Sequence, residues 1–379
     1  MVRALVFCLC LLAAPAWATT APETAAPHAV VLDYATGQVL LNKGGAERIP
    51  TASMSKVATL YEVFAALKAG HITLDDTMRV SEKAWRMKGS SMFLEPAMRP
   101  TVEALIRGVA VQSGNDACVV LAEGLSGSET AFSMLMNARA QSLGLRATHF
   151  ANATGWPDPE HYSTPLDLAH LAVAVIRDFP EYYPYFGEES FAYNNIKQMN
   201  RNPLLYRPGL GADGVKTGHT QEAGYGLIAS AADAATGRRV VLVVAGLPDE
   251  PARAAEGAKL VAWGLSAFAN RVLFAGGQAV VTAPVAKGAM RGVALVPARD
   301  VLVTVPRGRD GSPPAPVVAE ARLPAAPLIA PVAAGAEVGV LHIAWEGGST
   351  DVPLLTGQAV PRAGLFARIT QNARALVGW

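Results

Sequence analysis

GVKTGHTQEAGYGLIASAADAATGRRVVLVVA, residues 214–245, is where the chain changes character. Residues 214–217, 224–231 and 239–245 read as three strands, because apolar and β-branched residues run between Gly-rich turns. The last two flank an Ala-Thr-Gly turn at residues 235–237. Far upstream, VVLDYATGQVLLN (30–42) reads as two more β runs around a turn with Gly37. Between these regions the apolar period is helical. Val57, Leu60, Tyr61, Phe64 and Leu67 mark a helix over residues 53–69 that stops at Gly70. Thr101 is a fitting N-cap for a helix over 101–112 that carries Leu105, Ile106 and Val109. Another helix follows Ser113 and ends near Gly124. Two more cover residues 129–143 and 165–177, and a closing helix is expected over 252–268. Strands, then helices, then strands predict an α+β fold with one antiparallel sheet flanked by helices.

The chain has 379 residues, 51% hydrophobic and 17% charged, which is enough for two or three domains around sizeable cores. Lys and Arg number 32 and Asp and Glu 31, so the net charge is +1. That balance gives no global electrostatic reason to bind nucleic acid. No interior run of about 18 apolar residues occurs, which excludes a polytopic helical membrane protein. Beyond residue 270 helix signals vanish until the last segment. Short β runs at 279–285, 293–296, 301–305 and 338–345, interrupted by a Pro-rich stretch at 312–331, predict a small all-β C-terminal domain.

Both ends carry their own signals. Arg3, an apolar stretch from Ala4 to Ala14, and Ala16-Trp17-Ala18 form the pattern of an export leader cut after Ala18. Its removal takes Cys8, Cys10 and Arg3, leaving Cys118 as the only thiol and a net charge of zero. Cys118 sits in an apolar helical run, where a buried small hydrophobe is expected rather than a nucleophile. At the other end Leu365, Phe366, Ile369, Ala373, Leu376 and Val377 share about one third of a helical wheel. The rest of that wheel carries Arg368, Arg374 and amides without an acid. This suits a helix lying in the plane of an anionic bilayer, with Trp379 at headgroup level. The alternative is an ordinary amphipathic helix docked on its own protein. The expected organisation is a leader over 1–18, a main domain over 19–270, a β-rich domain over 271–358 and an anchor helix over 359–379.

Three short elements carry chemistry when taken together. Ser53-Met54-Ser55-Lys56 opens a helix, Ser113-Gly114-Asn115 lies between two helices, and Lys216-Thr217-Gly218 lies on a strand ahead of His219. Residues three apart share a helix face, so Lys56 can bring its amine beside the Ser53 hydroxyl. A serine hydroxyl is a weak nucleophile until a neighbour takes its proton. Burial or a nearby cation lowers a lysine toward its neutral, basic form, and Lys216 is the expected cation. Ser53 is preferred over Ser55 because the partner of Lys56 must be a helical neighbour rather than the adjacent residue. Ser113 is placed to shuttle a proton to the leaving nitrogen. Asn115 has a donor and an acceptor for a substrate amide. The backbone N–H groups of Ser53 and His219 suit an oxyanion hole. Gly218 leaves a strand edge free for a peptide to add as a further strand.

These elements resemble the D-alanyl-D-alanine carboxypeptidases, the low-molecular-mass penicillin-binding proteins, whose enzyme class carries Ser-x-x-Lys and Lys-Thr-Gly motifs. The resemblance extends through GSSMFL (89–94), LIRGVAVQSGNDACVVLAE (105–123), HYST (161–164), QMNRNPLL (198–205), residues 214–231 and residues 253–263. It implies the penicillin-binding protein/β-lactamase-like transpeptidase fold with a trailing β domain and a membrane-anchor helix. It implies acylation of Ser53 by a peptidoglycan stem peptide ending in D-Ala-D-Ala, with Lys56 as base and Ser113 and Asn115 completing the site. Lys216 and Thr217 would hold the terminal carboxylate, with Arg253 as a second basic residue. β-Lactam inhibitors would acylate the same serine. No cofactor or metal is implied, and His71, His149, His161 and His170 lack ligand spacing. The expected place is exported, peripheral on the periplasmic face of the bacterial cytoplasmic membrane, held to that inner-membrane surface by the C-terminal helix.

Three rivals are weighed. A class A β-lactamase needs a carboxylate base for deacylation. No Glu-x-x-Leu-Asn element follows Ser113, and the middle motif is Ser-Gly-Asn rather than Ser-Asp-Asn. A D,D-endopeptidase would use the same machinery on cross-links. A catalytically silent wall-binding envelope protein would lack an intact set of the three elements.

Overall fold

Arg239–Leu247 is the axis of the main sheet. Its sequence is apolar almost throughout because both faces of the strand are buried. Val240, Leu242 and Val244 point to one side and pack with Leu260 and Val261 of the closing helix. Val241, Val243 and Ala245 point to the other side, into a core shared with the middle helices. The strand order is Val39–Lys43, His28–Asp33, Arg239–Leu247, Gly224–Ala232, Ala212–Thr220. Every neighbouring pair is antiparallel. The first β region and the last three strands therefore share one sheet, as their sequence order predicted. Ala212–Thr220 is one of the two edge strands, and it carries the Lys-Thr-Gly element.

The computed structural model describes residues 3–7, 21–307, 317–345 and 348–364. Within residues 20–267, five of its helices cover one face of the sheet's core: Lys56–Lys68, Val102–Ala110, Asn115–Ser126, Glu129–Ser142 and Pro165–Asp178. Their starts follow from capping side chains. Thr101, Ser128 and Thr164 each accept a backbone N–H from the first turn. The closing helix runs Glu250–Ser266, two residues earlier at each end than expected. Asp249 caps Ala252 N at 2.7 Å, and Pro251 fits a first turn that needs no N–H donor. The helix expected over 53–69 is two pieces: a 3₁₀ turn, Ala52–Ser55, then an α-helix from Lys56. A hairpin, Ser190–Tyr193 with Ile196–Met199, was not expected. Its turn is Asn194-Asn195, both at positive φ, a conformation asparagine tolerates better than most residues.

The second unit, from Phe268 onward together with Arg3–Phe7, is all-β in its regular structure among the described residues. Phe268–Phe274 pairs with Val301–Pro306. A larger sheet has the order Arg3–Phe7, Val318–Leu323, Glu337–Trp345, Gly348–Thr356, Gly292–Pro297, Val281–Ala286, Leu328–Ile329. Val285, Val293, Leu295, Val303, Leu341, Ile343 and Leu354 fill its core. The segment 312–331, expected to be irregular, contributes Val318–Leu323 and Leu328–Ile329. Its Pro313, Pro314 and Pro316 lie outside the described residues. Arg3–Phe7, inside the stretch read as a leader, pairs antiparallel with Val318–Leu323. The anchor helix does not begin at residue 359. Val360 is buried and bridges Val332, and Arg362 bridges Gly288, so residues 359–364 finish the β unit. The segment 365–379 read as the amphipathic helix lies outside the described residues. No described helix is long and apolar enough to cross a membrane.

Phe64 holds the Lys56–Lys68 helix in place by packing on Phe179, Tyr182 and Phe186, with ring centroids 5.3–6.0 Å apart. Truncation of a fully buried aromatic costs about 3–5 kcal/mol. Phe64→Ala is expected to lower unfolding free energy by that amount in a denaturant titration.

Candidate active site

Ser53 is the only residue between Thr51 and Leu60 that is not buried. The 3₁₀ turn brings this about. At about three residues per turn, positions i and i+3 eclipse, so Lys56 stands directly behind Ser53. Lys56 Nζ lies 2.7 Å from Ser53 Oγ, 2.7 Å from Asn115 Oδ1 and 2.6 Å from the Thr154 carbonyl. The last two atoms only accept hydrogen bonds. A neutral amine has two N–H groups and one lone pair. With both N–H groups taken by Asn115 and Thr154, the lone pair is left facing the Ser53 hydroxyl.

Burial drives Lys56 toward that neutral form, lowering its pKa to about 8. The nearby cation that lowers it further is Arg201, while Cys118 and Asp116 act in the opposite sense. Lys56 and Lys216 repel one another as cations, so the repulsion expected from Lys216 is shared between the two amines. Lys216 is itself held well below the usual lysine value, first by burial and then by Lys56 and Arg201. Two ammonium groups inside one low-dielectric site disfavour each other, and desolvation acts on both. Cys118 is a buried free thiol pushed up to about 12, as its apolar helix predicted.

The middle element also helps to hold the buried lysine. Ser113 adopts φ 61°, the left-handed region, in the connection between two helices. Its Oγ is buried without a hydrogen-bond partner among the described residues. It does not bridge to Lys56, whose contacts are those given above. Asn115 holds Lys56 through Oδ1, and its Nδ2 donates to the Lys88 carbonyl at 2.7 Å. One N–H of that amide is left for a ligand. Asp116 accepts from Met92 N, Leu94 N and Ser91 Oγ, which clamps the 91–94 loop beside the site. Asn152 organises the opposite wall. Its Oδ1 accepts from the backbone N–H groups of Thr154, Gly155 and Trp156, fixing the carbonyl that holds Lys56.

The edge strand passes close over the nucleophile turn. A Cβ on Gly218 would stand 2.8 Å from Thr51 O, 3.0 Å from Met54 Cγ and 3.1 Å from Met54 N. Glycine is therefore required by this contact, and not only by an incoming strand as expected. Thr217 is buried, and His219 is exposed and stacks on Tyr225 at 3.9 Å. Arg253 lies over the same Tyr225 ring at 5.5 Å. Among the described residues its Nε is buried without a hydrogen bond, and its one ion pair is a 3.5 Å contact to exposed Glu250. Lys216 Nζ has only a long 3.4 Å contact to the Thr217 carbonyl and no ion pair among the described residues. Arg201 donates to Ser90 Oγ and lowers Lys56, Lys216 and Arg253 alike. Uncompensated, partly desolvated cations in one place are a ready site for an anion. Arg201 was missed in the sequence. Its text, QMNRNPLL, stands out, but nothing in its spacing says that it turns back toward Lys56.

A serine backed by a buried lysine, with an edge strand that carries Lys216 passing close over its turn, defines a serine acyl-transfer site of the penicillin-binding kind. The chain matches the D-alanyl-D-alanine carboxypeptidase family over residues 16–248 and the penicillin-binding protein 5 C-terminal domain over residues 268–362. D-alanyl-D-alanine carboxypeptidase DacA of Escherichia coli is 37% identical over 355 residues, 92% of this chain and 87% of that protein. DacF of Bacillus subtilis is 34% identical, over 93% of this chain and 90% of that protein. Penicillin-binding protein 5 from Haemophilus influenzae superposes with a TM-score of 0.83 at 36% identity, over 90% of this chain and 99% of that structure. The chain belongs to the D-alanyl-D-alanine carboxypeptidase family of serine peptidases. Its fold is the penicillin-binding protein fold with an all-β C-terminal domain.

A lysine base works only when neutral, and the neutral fraction of Lys56 grows as pH rises through about 8. The acylation rate is expected to climb with pH below that value and level off above it. A pH profile of acylation by a penicillin checks this, and Lys56→Arg is expected to abolish the reaction.

Proposed function

We propose that Ser53 is the residue acylated, with Lys56 its general base and Ser113 the group that hands a proton to the leaving amine. The observation that carries this reading is the 2.7 Å contact between Lys56 Nζ and Ser53 Oγ, made while two carbonyl oxygens occupy the amine's remaining protons. The enzyme is a D-Ala-D-Ala carboxypeptidase acting on peptidoglycan peptides. In the proposed sequence Ser53 Oγ attacks the penultimate carbonyl as its proton passes to Lys56. The backbone N–H groups of Ser53 and His219 receive the oxyanion. The terminal D-Ala leaves as its nitrogen is protonated by way of Ser113. Water, activated by the same lysine, then frees the acyl group.

The substrate ends in a carboxylate, and the site offers cations. Lys216, Thr217 and Arg253 are assigned to that carboxylate, and Arg201 joins them. Gly218 keeps the edge strand close to the turn, and the free N–H of Asn115 serves the substrate amide. β-Lactams are read as acylating Ser53 in place of the peptide. A structure of penicillin-binding protein D2 from Listeria monocytogenes in its ampicillin-bound form, 27% identical with a TM-score of 0.59, supports this. It covers 65% of this chain and 100% of that one. Export by a leader cut after Ala18, a periplasmic location and a membrane-surface helix within 365–379 complete the proposal. The pattern of charges and apolar residues at each end supports them.

Intact-protein mass spectrometry with a penicillin is expected to give one adduct on wild type, mapped to Ser53, and none on Ser53→Ala. An unlabelled wild type would sink the assignment. Loss of a charge-assisted hydrogen bond costs about 1.5–3 kcal/mol. Arg201→Ala and Arg253→Ala are therefore each expected to lower kcat/KM by roughly 10- to 100-fold on a peptide ending in D-Ala-D-Ala.

A further inference from the structure

The nucleophile turn is held from behind by a histidine that the acyl-transfer steps do not use. His161 is buried. Its Nδ1 accepts from Ala151 N at 3.2 Å, so in the neutral ring the proton sits on Nε2. Nε2 lies 3.0 Å from Ser55 Oγ. That hydroxyl in turn donates to the Ala52 carbonyl at 3.0 Å. The chain of donors therefore has one direction: ring N–H to Ser55, and Ser55 O–H to Ala52 O.

Ala52 is a residue that needs holding. It adopts φ 46°, in the left-handed region that a side chain disfavours, immediately before Ser53. Gly155 presses on the same carbonyl, since a Cβ there would stand 1.9 Å from Ala52 O. The Ala52–Ser53 peptide bond is planar and trans, so its N–H points opposite to its C=O. Whatever fixes Ala52 O fixes the direction of Ser53 N–H.

We propose that His161 is a positioning residue for the oxyanion site, aiming the Ser53 N–H by way of Ser55 and the Ala52 carbonyl. The inference rests on the reading of Ser53 as nucleophile, and it gives Ser55, the serine passed over in that motif, a separate role. The ring stays neutral, which keeps its direction of donation. Burial holds His161 down to about 4, with Lys56 and His149 acting in the same sense and Asp158 alone opposing. Phe150 packs edge-on against the ring at 5.7 Å, which fixes its plane.

The test compares wild type, His161→Leu, His161→Gln, Ser55→Ala and the Ser55→Ala/His161→Leu double variant. Stopped-flow acylation by a fluorescent penicillin separates the bond-forming rate constant from initial binding. Loss of one oxyanion donor costs roughly 10²–10³-fold, and misdirection costs part of that. His161→Leu and Ser55→Ala are each expected to slow bond formation by roughly 10- to 100-fold with initial binding little changed. The double variant is expected to be no slower than the slower single one, because both break the same chain. His161→Gln can still donate to Ser55 and is expected to recover most of the rate. Effects that multiply in the double variant, a loss confined to initial binding, or a Gln variant as slow as the Leu variant would each overturn the proposal. Ser55→Ala removes one oxygen and keeps the turn, so it carries the test should His161→Leu fail to fold. Peptide mapping of the wild-type adduct in the same samples examines the nucleophile itself. Absence of label at Ser53 overturns both readings, whereas normal label with unaffected variants overturns only this one.

Discussion

A primary amine with no exposure to water is the constraint around which the active site is arranged. Lys56 needs three partners, and they come from three places: the 3₁₀ turn, the helix after Ser113 and the Asn152–Trp156 loop. Each place is then secured separately. Asn115 is tied to Lys88, Thr154 to the Asn152 carboxamide, and Ser53 to the turn beneath the edge strand. A solvated lysine would remain protonated and would serve as a cation. Sealed from water, with its N–H groups committed elsewhere, it has basicity to offer in one direction.

The electrostatics follow from the same exclusion of solvent. Lys216, Arg201 and Arg253 lie where burial weakens each of them. Among the described carboxylates near them, Glu250 is exposed and meets Arg253 at 3.5 Å, while Asp116's oxygens already serve a loop. A carboxylate bound there would recover the cost of gathering these charges. On the proposed reading, recognition of the chain end and tuning of the base draw on one cluster that includes Arg201.

Much of the fold could be read from local chemistry. The continuous apolar run of Arg239–Leu247, the caps at Thr101 and Thr164, and the strand–helix–strand order led to the right sheet. Ser53 and Lys56 were legible because their contact spans three residues. Other features depend on distance in sequence and left no local trace. Arg201 joins the cations around Lys56 from a segment that carries no motif of its own. Asn115 also holds Lys56 through its Oδ1. Gly218 answers to Thr51 and Met54 on another element. In the β-rich unit Phe268–Phe274, Val318–Leu323 and Gly348–Thr356 were missed, since exposed and partly buried positions blur the alternation that marks a strand.

Ala52 and Ser113 both sit in backbone conformations that favour glycine, and both adjoin the reacting groups. Such strain costs on the order of 1–3 kcal/mol per residue. Evolution toward heat resistance would find relief at these two positions, and glycine at 113 would remove a hydroxyl along with the strain. Variants selected only for robustness could therefore change Ala52 without losing a side-chain group, while a change at Ser113 would trade its hydroxyl for the relief.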